Sequence, residues 1–137
     1  MADLMNLEIA SPGGLVLQAP VEYVSLPSVE GLYGILPRHA PMLVALKTGV
    51  VHYRQAGERK GVAVRGGFAD VTGRQVIILA EHAELPEDID VAEAERQRAE
   101  ARAVIESGGD QAEIQLARER LEHAMARLRV AQDKQRK

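Results

Sequence analysis

The 137-residue chain contains no cysteine, no tryptophan and a single phenylalanine. Without cysteine it can build neither a disulfide framework nor a thiolate metal site. With so few aromatic rings, its core must be aliphatic. The net charge of -3 and the lack of a basic run interleaved with aromatics argue against nucleic acid as a partner. No apolar run approaches the roughly 20 residues of a membrane span. Met1–Glu8 lacks the basic-then-apolar layout of a secretory signal. The isolated chain is therefore expected to be soluble, with no direct membrane insertion; it would meet a membrane only through a partner.

Catalytic patterns are missing as well. Ser11, Ser25, Ser28 and Ser107 stand in turns or strands with no nucleophile-elbow context. There is no phosphate-cradling loop of the Gly-x-x-x-x-Gly-Lys type. The four histidines, His39, His52, His82 and His123, are scattered, and none pairs with another histidine at helical spacing. Structural or surface roles are expected for them, and no metal site. Asp88 and Asp90 flank an isoleucine near a helix start, where capping explains them better than acid-base work. No catalytic residue is assigned.

What is present divides in two. Residues 1–86 carry 7 basic and 8 acidic side chains, whereas the shorter stretch 87–137 carries 10 and 12. Such a rise in charge density marks a domain boundary, and Pro86 stands on it. Before it lie short apolar segments punctuated by Gly and Pro. Asn6–Ala10, Leu15–Leu17, Val21–Leu26, Gly49–Arg54, Lys60–Val64, Gly67–Val71 and Gln75–Ala80 read as strands, the last two joined by a compact turn at Thr72–Arg74. Pro20 separates two of them, and Gly66-Gly67 reads as a bulge. This texture predicts an antiparallel β-sandwich.

After Pro86, carboxylates crowd a helix start. Val91–Ile105 is rich in strong helix formers, with a thin apolar side at Ala92, Ala99, Ala103 and Ile105. Ser107-Gly108-Gly109 stops this helix. Asp110–Glu113 then resembles a capping box opening a second one. Ile114, Ala117, Leu121, Ala124, Leu128 and Ala131 recur in steps of three and four, the seam of a coiled-coil-like helix. The prediction is an α+β chain: a sandwich over 1–86 and a two-helix antiparallel hairpin over 87–137. Alanine buries little area, and area sets the hydrophobic gain. The hairpin should therefore be marginally held and able to detach. Near its end the cations Arg127, Arg129, Lys134, Arg136 and Lys137 face only Asp133. This is either a solvated helix end favoured by the dipole or a surface for an acidic partner.

The most distinctive stretch is Ser28–Leu46. Gly31 and Gly34 imply a tight turn or bulge, and Pro37 and Pro41 a loop or strand edge. Ile35-Leu36 and Met42–Leu46 read as buried strands around it. The pattern Gly31-x-x-Gly34-Ile35-Leu36-Pro37-x-His39-Ala40-Pro41-Met42-Leu43 resembles the signature loop of the epsilon subunit of F-type ATP synthases. Arg65-Gly66-Gly67-Phe68-Ala69-Asp70-Val71 is similar to that family's later Gly-Gly strand. Ile89-Asp90-Val91 sits where its first C-terminal helix begins. Three motifs in order carry the resemblance over nearly the whole chain.

The resemblance implies a non-catalytic subunit at the foot of the rotating central stalk. It would couple ion-driven rotation to ATP synthesis and restrain ATP hydrolysis through its helices. It implies the gamma subunit and the polar loops of the c-ring as partners, and the alpha and beta catalytic subunits when the helices extend. The protein would be peripheral to the energy-transducing membrane, on its cytoplasmic face. Gly31, Leu32, Tyr33, Gly34, Arg38 and His39 match the partner-facing loop, and Arg127 and Arg129 the part that meets the catalytic ring. Some members bind ATP in the folded hairpin. Ile89, Asp90, Arg98 and Arg127 are the matching candidates here, Arg98 only if one residue is gapped. Glu93 replaces the motif arginine, and His123 stands where another is common. Two carboxylates one turn apart would repel a triphosphate. ATP as a regulatory ligand is accordingly expected to bind weakly or not at all, and no cofactor is assigned. Apart from the resemblance, a free-standing ligand-binding or adaptor sandwich with a helical tail fits the same residues.

Overall fold

The computed structural model describes residues 3–135, with side chains described for 3–133. Of the basic end, Arg136, Lys137 and the side chain of Lys134 lie outside the described residues. Ten strands come first: β1 (Met5–Ser11), β2 (Gly14–Val21), β3 (Tyr23–Ser28), β4 (Gly31–Ile35), β5 (Met42–Ala45), β6 (Gly49–Gln55), β7 (Glu58–Arg65), β8 (Phe68–Val71), β9 (Gln75–Leu79) and β10 (His82–Glu84). A 3-10 turn at Pro86–Asp88 leads into α1 (Val91–Ser107) and α2 (Gln111–Gln135).

The strands form two five-stranded sheets. The first has the order β2-β1-β9-β8-β5 and the second β10-β7-β6-β3-β4. Seven of the eight strand pairings are antiparallel; β1 and β9 run parallel. Leu7, Ile9, Val71, Val76 and Ile78 of the first sheet meet Val24, Leu26, Ile35, Val51, Val62 and Val64 of the second, all fully buried. Each such side chain contributes about 2 kcal/mol of transfer free energy, so this aliphatic layer carries the fold.

Several local expectations change. Pro20 does not divide two strands; it lies inside β2, which is tolerated because β2 is an edge strand whose outer side needs no donor. Leu36 lies outside any strand and is 60 % exposed, and Leu43 is 71 % exposed, so this stretch is half-buried. The reason is period-two alternation: Ile35 and Val44 take the inward positions. Gly66-Gly67 is not a bulge but the corner carrying the chain from β7 in one sheet to β8 in the other, with φ of 61° and 104°. A Cβ on Gly67 would collide with the Leu79 carbonyl, so only glycine fits there. Strand β10 was not foreseen.

In α1, Ala94 and Ala101 are buried, while Ala92, Ala99 and Ala103 are exposed. Alanines occupy several phases of this helix, and the shape of α2 selects among them. Asp90 caps the helix: its Oδ1 accepts from the Glu93 amide at 3.1 Å. Gly108, left-handed at φ 72°, ends it, and Asp110 Oδ1 accepts from the Glu113 amide at 2.9 Å to open α2. The expected seam of α2 holds, with Ala117, Ala124 and Ala131 buried towards α1.

The hairpin packs on the outer face of the second sheet, through α2 against β6 and β7. Val50, Ala63, Ala126 and Val130 form a small second core there, flanked by Ile89. Two valines and two alanines bury far less than the sandwich core, so polar contacts weigh heavily in how firmly the hairpin is held. Among the described residues, no helix is long and apolar enough to cross a membrane.

Candidate functional site

The signature stretch forms one end of the sandwich. Ser28 Oγ donates to the Gly31 carbonyl at 2.7 Å and accepts from the Glu30 amide at 3.0 Å, closing the turn between β3 and β4. Gly31 has a φ of 124°, which a side chain would oppose. Val29 on the turn and Leu32 at the start of β4 are 70 % and 75 % exposed. Tyr33, half-buried, packs at the edge of the core and donates to Glu30 Oε1 at 3.4 Å. At Gly34 a Cβ would lie 2.8 Å from the Tyr23 hydroxyl, so the glycine makes room for that ring.

A second turn follows. The His39 amide donates to the Leu36 carbonyl at 3.1 Å. Pro37 suits its second position, and Arg38 takes the third with a φ of 70°. That conformation normally calls for glycine, so a non-glycine residue there is strained. The Arg38 amide donates to the Gly73 carbonyl at 2.6 Å, and its largely exposed guanidinium pairs with Asp3 at 3.1 Å. His39 Nδ1 lies 2.8 Å from the Ala40 carbonyl. The structure thus places Gly31, Leu32, Tyr33 and Gly34 along β4, starting from its turn with β3, and Arg38 and His39 on the turn that follows β4.

The sequence reasoning missed a larger surface. On the solvent face of the first sheet, Ala45, Phe68, Leu79, Ala10 and Leu15 are consecutive cross-strand partners. Phe68, Leu79 and Leu15 are 56 %, 60 % and 60 % exposed. Leu43 stands beside this row on β5. Among the described residues no helix covers that face, because the hairpin lies on the other sheet. An apolar row spanning a whole sheet marks an interaction surface. Its signal was available only through strand register, since β1 and β9 are distant in sequence.

Of the remaining candidates, Arg127 stands at the seam between hairpin and sandwich. Arg127 is buried in its docked position. Its Nε lies 2.6 Å from Glu84 Oε1 but off the hydrogen-bonding axis, so this contact is coulombic. Nη2 donates to Glu84 Oε2 at 3.3 Å and lies 3.1 Å from Glu93 Oε1. Nη1 donates to Gln97 Oε1 at 3.1 Å, and Gln97 Nε2 sits 3.5 Å from His123 Nδ1. The His123 ring stands edge-on to His82, centroids 5.2 Å apart, and His82 Nε2 lies 3.4 Å from Glu84. Burial, then His82, Arg127 and Arg65, hold the His123 imidazole down at about 4. The ligand atoms of His82, Glu84 and His123 fall within 4.8 Å of one another. A metal ion there would have to dislodge Arg127 from both Glu84 oxygens and then stand beside its charge.

These groups line an open cleft of about 410 Å³. Arg65, Arg96 and Arg127 face it against Glu84, Glu93 and Glu100, so the cleft is near neutral. Arg98 is not in it. Arg98 lies in a separate groove with Leu128 and Ala131 and pairs with Glu95 of its own helix. Ile89 is part of the small second core and Asp90 is the helix cap. Of the nucleotide candidates, only Arg127 lines this cleft. Arg129, between half-buried Leu128 and buried Val130, is exposed.

The family model described as ATP synthase, Delta/Epsilon chain, beta-sandwich domain matches residues 4–86. An ATP synthase epsilon chain of Nitratidesulfovibrio vulgaris (strain DP4) is 44 % identical over 133 residues, covering 95 % of this chain and 97 % of its own. The chain belongs to the ATP synthase delta/epsilon family. A Synechococcus (strain PCC 6716) epsilon chain is 42 % identical over 132 residues, covering 93 % and 95 %. Among solved structures, a chain of the Euglena gracilis mitochondrial ATP synthase (OSCP/F1/c-ring) matches with a TM-score of 0.79 and 26 % identity, over 94 % of this chain and 81 % of that one. As a member of this family the chain is a regulatory and structural subunit rather than an enzyme. The free-standing adaptor reading yields to that membership.

Proposed function

We propose that this delta/epsilon family member works as the epsilon subunit of the central stalk, coupling ion-driven rotation to ATP synthesis and restraining ATP hydrolysis through its hairpin. The observation that carries the reading is the end-to-end likeness to epsilon chains, helices included. The sandwich has two free surfaces suited to it. The apolar row Leu15, Ala10, Leu79, Phe68 and Ala45 would seat against the gamma subunit. The β4 segment Gly31, Leu32, Tyr33 and Gly34, with Arg38 and His39 on the turn beyond it, would meet gamma and the polar loops of the c-ring. The chain would thus be peripheral, held on the cytoplasmic face of the membrane through its partners.

The hairpin would supply the regulation. Its small apolar contact with the sandwich permits detachment, and the freed α2 would bring Arg127 and Arg129 to the alpha and beta catalytic subunits. In the docked state Arg127 is turned inward, so docked and inhibitory states exclude each other. ATP would bind the docked hairpin weakly or not at all, because Glu84 and Glu93 already occupy the Arg127 guanidinium. Co-purification tests the assignment: the chain should retain a gamma subunit, and a chain with Phe68→Ser and Leu79→Ser should retain much less. Equal retention would contradict the placement on gamma.

A further inference from the structure

Three of the four histidines lie where the hairpin meets the sandwich. His123 of α2 is 7 % exposed, and its Nε2 is buried without a hydrogen-bond partner. From β10 it faces His82 and Glu84, from β7 Arg65, and from its own helix Arg127, one turn on. From α1 it faces Gln97, with Arg96, Glu93 and Glu100 lining the same cleft. Glu84 is the nearest anion, but its carboxylate is turned to Arg127. A proton on His123 would therefore add a desolvated charge beside cations with no acceptor of its own. His52 of β6 repeats the arrangement more weakly. It packs under α2 between Arg59 and Arg129, with Asp133 at 3.8 Å. Its imidazole too is held below the ordinary value, by burial first and then Arg59, with Asp133 opposing.

We propose that this seam is a proton-responsive latch, in which protonation of His123, seconded by His52, loosens the docked hairpin. The inference rests on the reading that the hairpin leaves the sandwich as a unit. The sign follows from linkage. A histidine in a detached, solvated hairpin titrates at its ordinary value of about 6.5. Docked, His123 is held at about 4. Its support for docking is complete above the detached value and is lost progressively as the pH falls from there towards the docked one. Between about pH 7.5 and 5.5, His123 alone should shift the docking equilibrium about tenfold towards release.

The absence of native cysteine makes the test direct. A full chain with Ala126→Cys places one thiol under the docked helix, where Ala126 is 5 % exposed. Its labelling rate, divided by that of a free thiol at the same pH, reads the opening equilibrium. About tenfold faster relative labelling is expected at the lower pH, with His123→Gln removing most of the shift. Protection that does not change with pH, or an equal shift in His123→Gln, would overturn the latch. Should that variant fail to fold, a magnetic resonance titration of His123 in the unmodified chain decides. A midpoint below about 5 supports the latch and one near 6.5 refutes it. Both measurements use the isolated subunit, so they stand or fall independently of whether the hairpin inhibits hydrolysis.

Discussion

Arg127 and Glu84 are 43 residues apart in sequence, yet Arg127 Nη2 donates to Glu84 Oε2 at 3.3 Å. The pair joins α2 to β10, and so the hairpin to the sandwich. Glu93 of α1 lies against the same Nη2, and Gln97 accepts from Nη1. One side chain thus ties together both helices and a strand.

Removing it should be costly. Arg127→Ala leaves Glu84 without its cation in a largely desolvated position, and breaking such a pair costs about 3 kcal/mol. The thiol of an Ala126→Cys chain should lose protection accordingly. Arg129→Ala, at an exposed position, should leave docking within about 0.5 kcal/mol. It should instead weaken inhibition of hydrolysis, most visibly at low salt where exposed charges are least screened. The two substitutions therefore separate holding the hairpin from meeting the catalytic ring.

Glu93 should decide nucleotide affinity. Titration calorimetry is expected to show no micromolar binding of ATP to the unmodified chain. Glu93→Arg removes an anion from the near-neutral cleft and adds a donor fork suited to phosphate, which should strengthen binding by about 2 kcal/mol. Micromolar affinity in the unmodified chain would mean that Arg65 and Arg96 supply the charge.

The apolar row on the first sheet should matter to partners and not to folding. Phe68→Ser and Leu79→Ser alter exposed positions, so the urea midpoint should change by no more than about 0.5 kcal/mol of stability each. Retention of gamma should fall, because exposed aromatic and aliphatic side chains supply most of the burial at a docked face.

Arg38 pays a conformational cost for standing at a left-handed position. Arg38→Gly should stabilise the sandwich by about 1 kcal/mol by removing that strain, since the exposed pair with Asp3 contributes little. Partner binding should weaken at the same time. A chain both less stable and fully competent to bind would show that Arg38 is neither strained nor used.

Much of this was legible in the sequence where the signal is local. The β8–β9 turn at Thr72–Arg74, the stop at Gly108, the cap at Asp90 and the Ala117–Ala124–Ala131 seam each rest on residues a few positions apart. The parallel pairing of β1 with β9 was not legible, because nothing near either strand names its partner. The second face of α2, His123, Ala126, Arg127 and Val130, was also hidden. Arginine and histidine read as solvent-facing until β10 supplies Glu84 and His82 opposite them. Arg98 was placed by alignment with a gap, and the helical phase sets it on a different groove from Arg127. The apolar row needed the register of five strands before Phe68, Leu79 and Leu15 became neighbours.

The regulatory role is tested most directly by hydrolysis in the reconstituted catalytic complex. It should be assayed with no added chain, with the full chain, and with residues 1–86 alone. The fragment retains both sheets and their common core, so it should fold and bind gamma. The full chain should lower the ATP hydrolysis rate, and the fragment should bind without lowering it. Equal rates with full chain and fragment, at equal occupancy, would contradict a hairpin that restrains the motor.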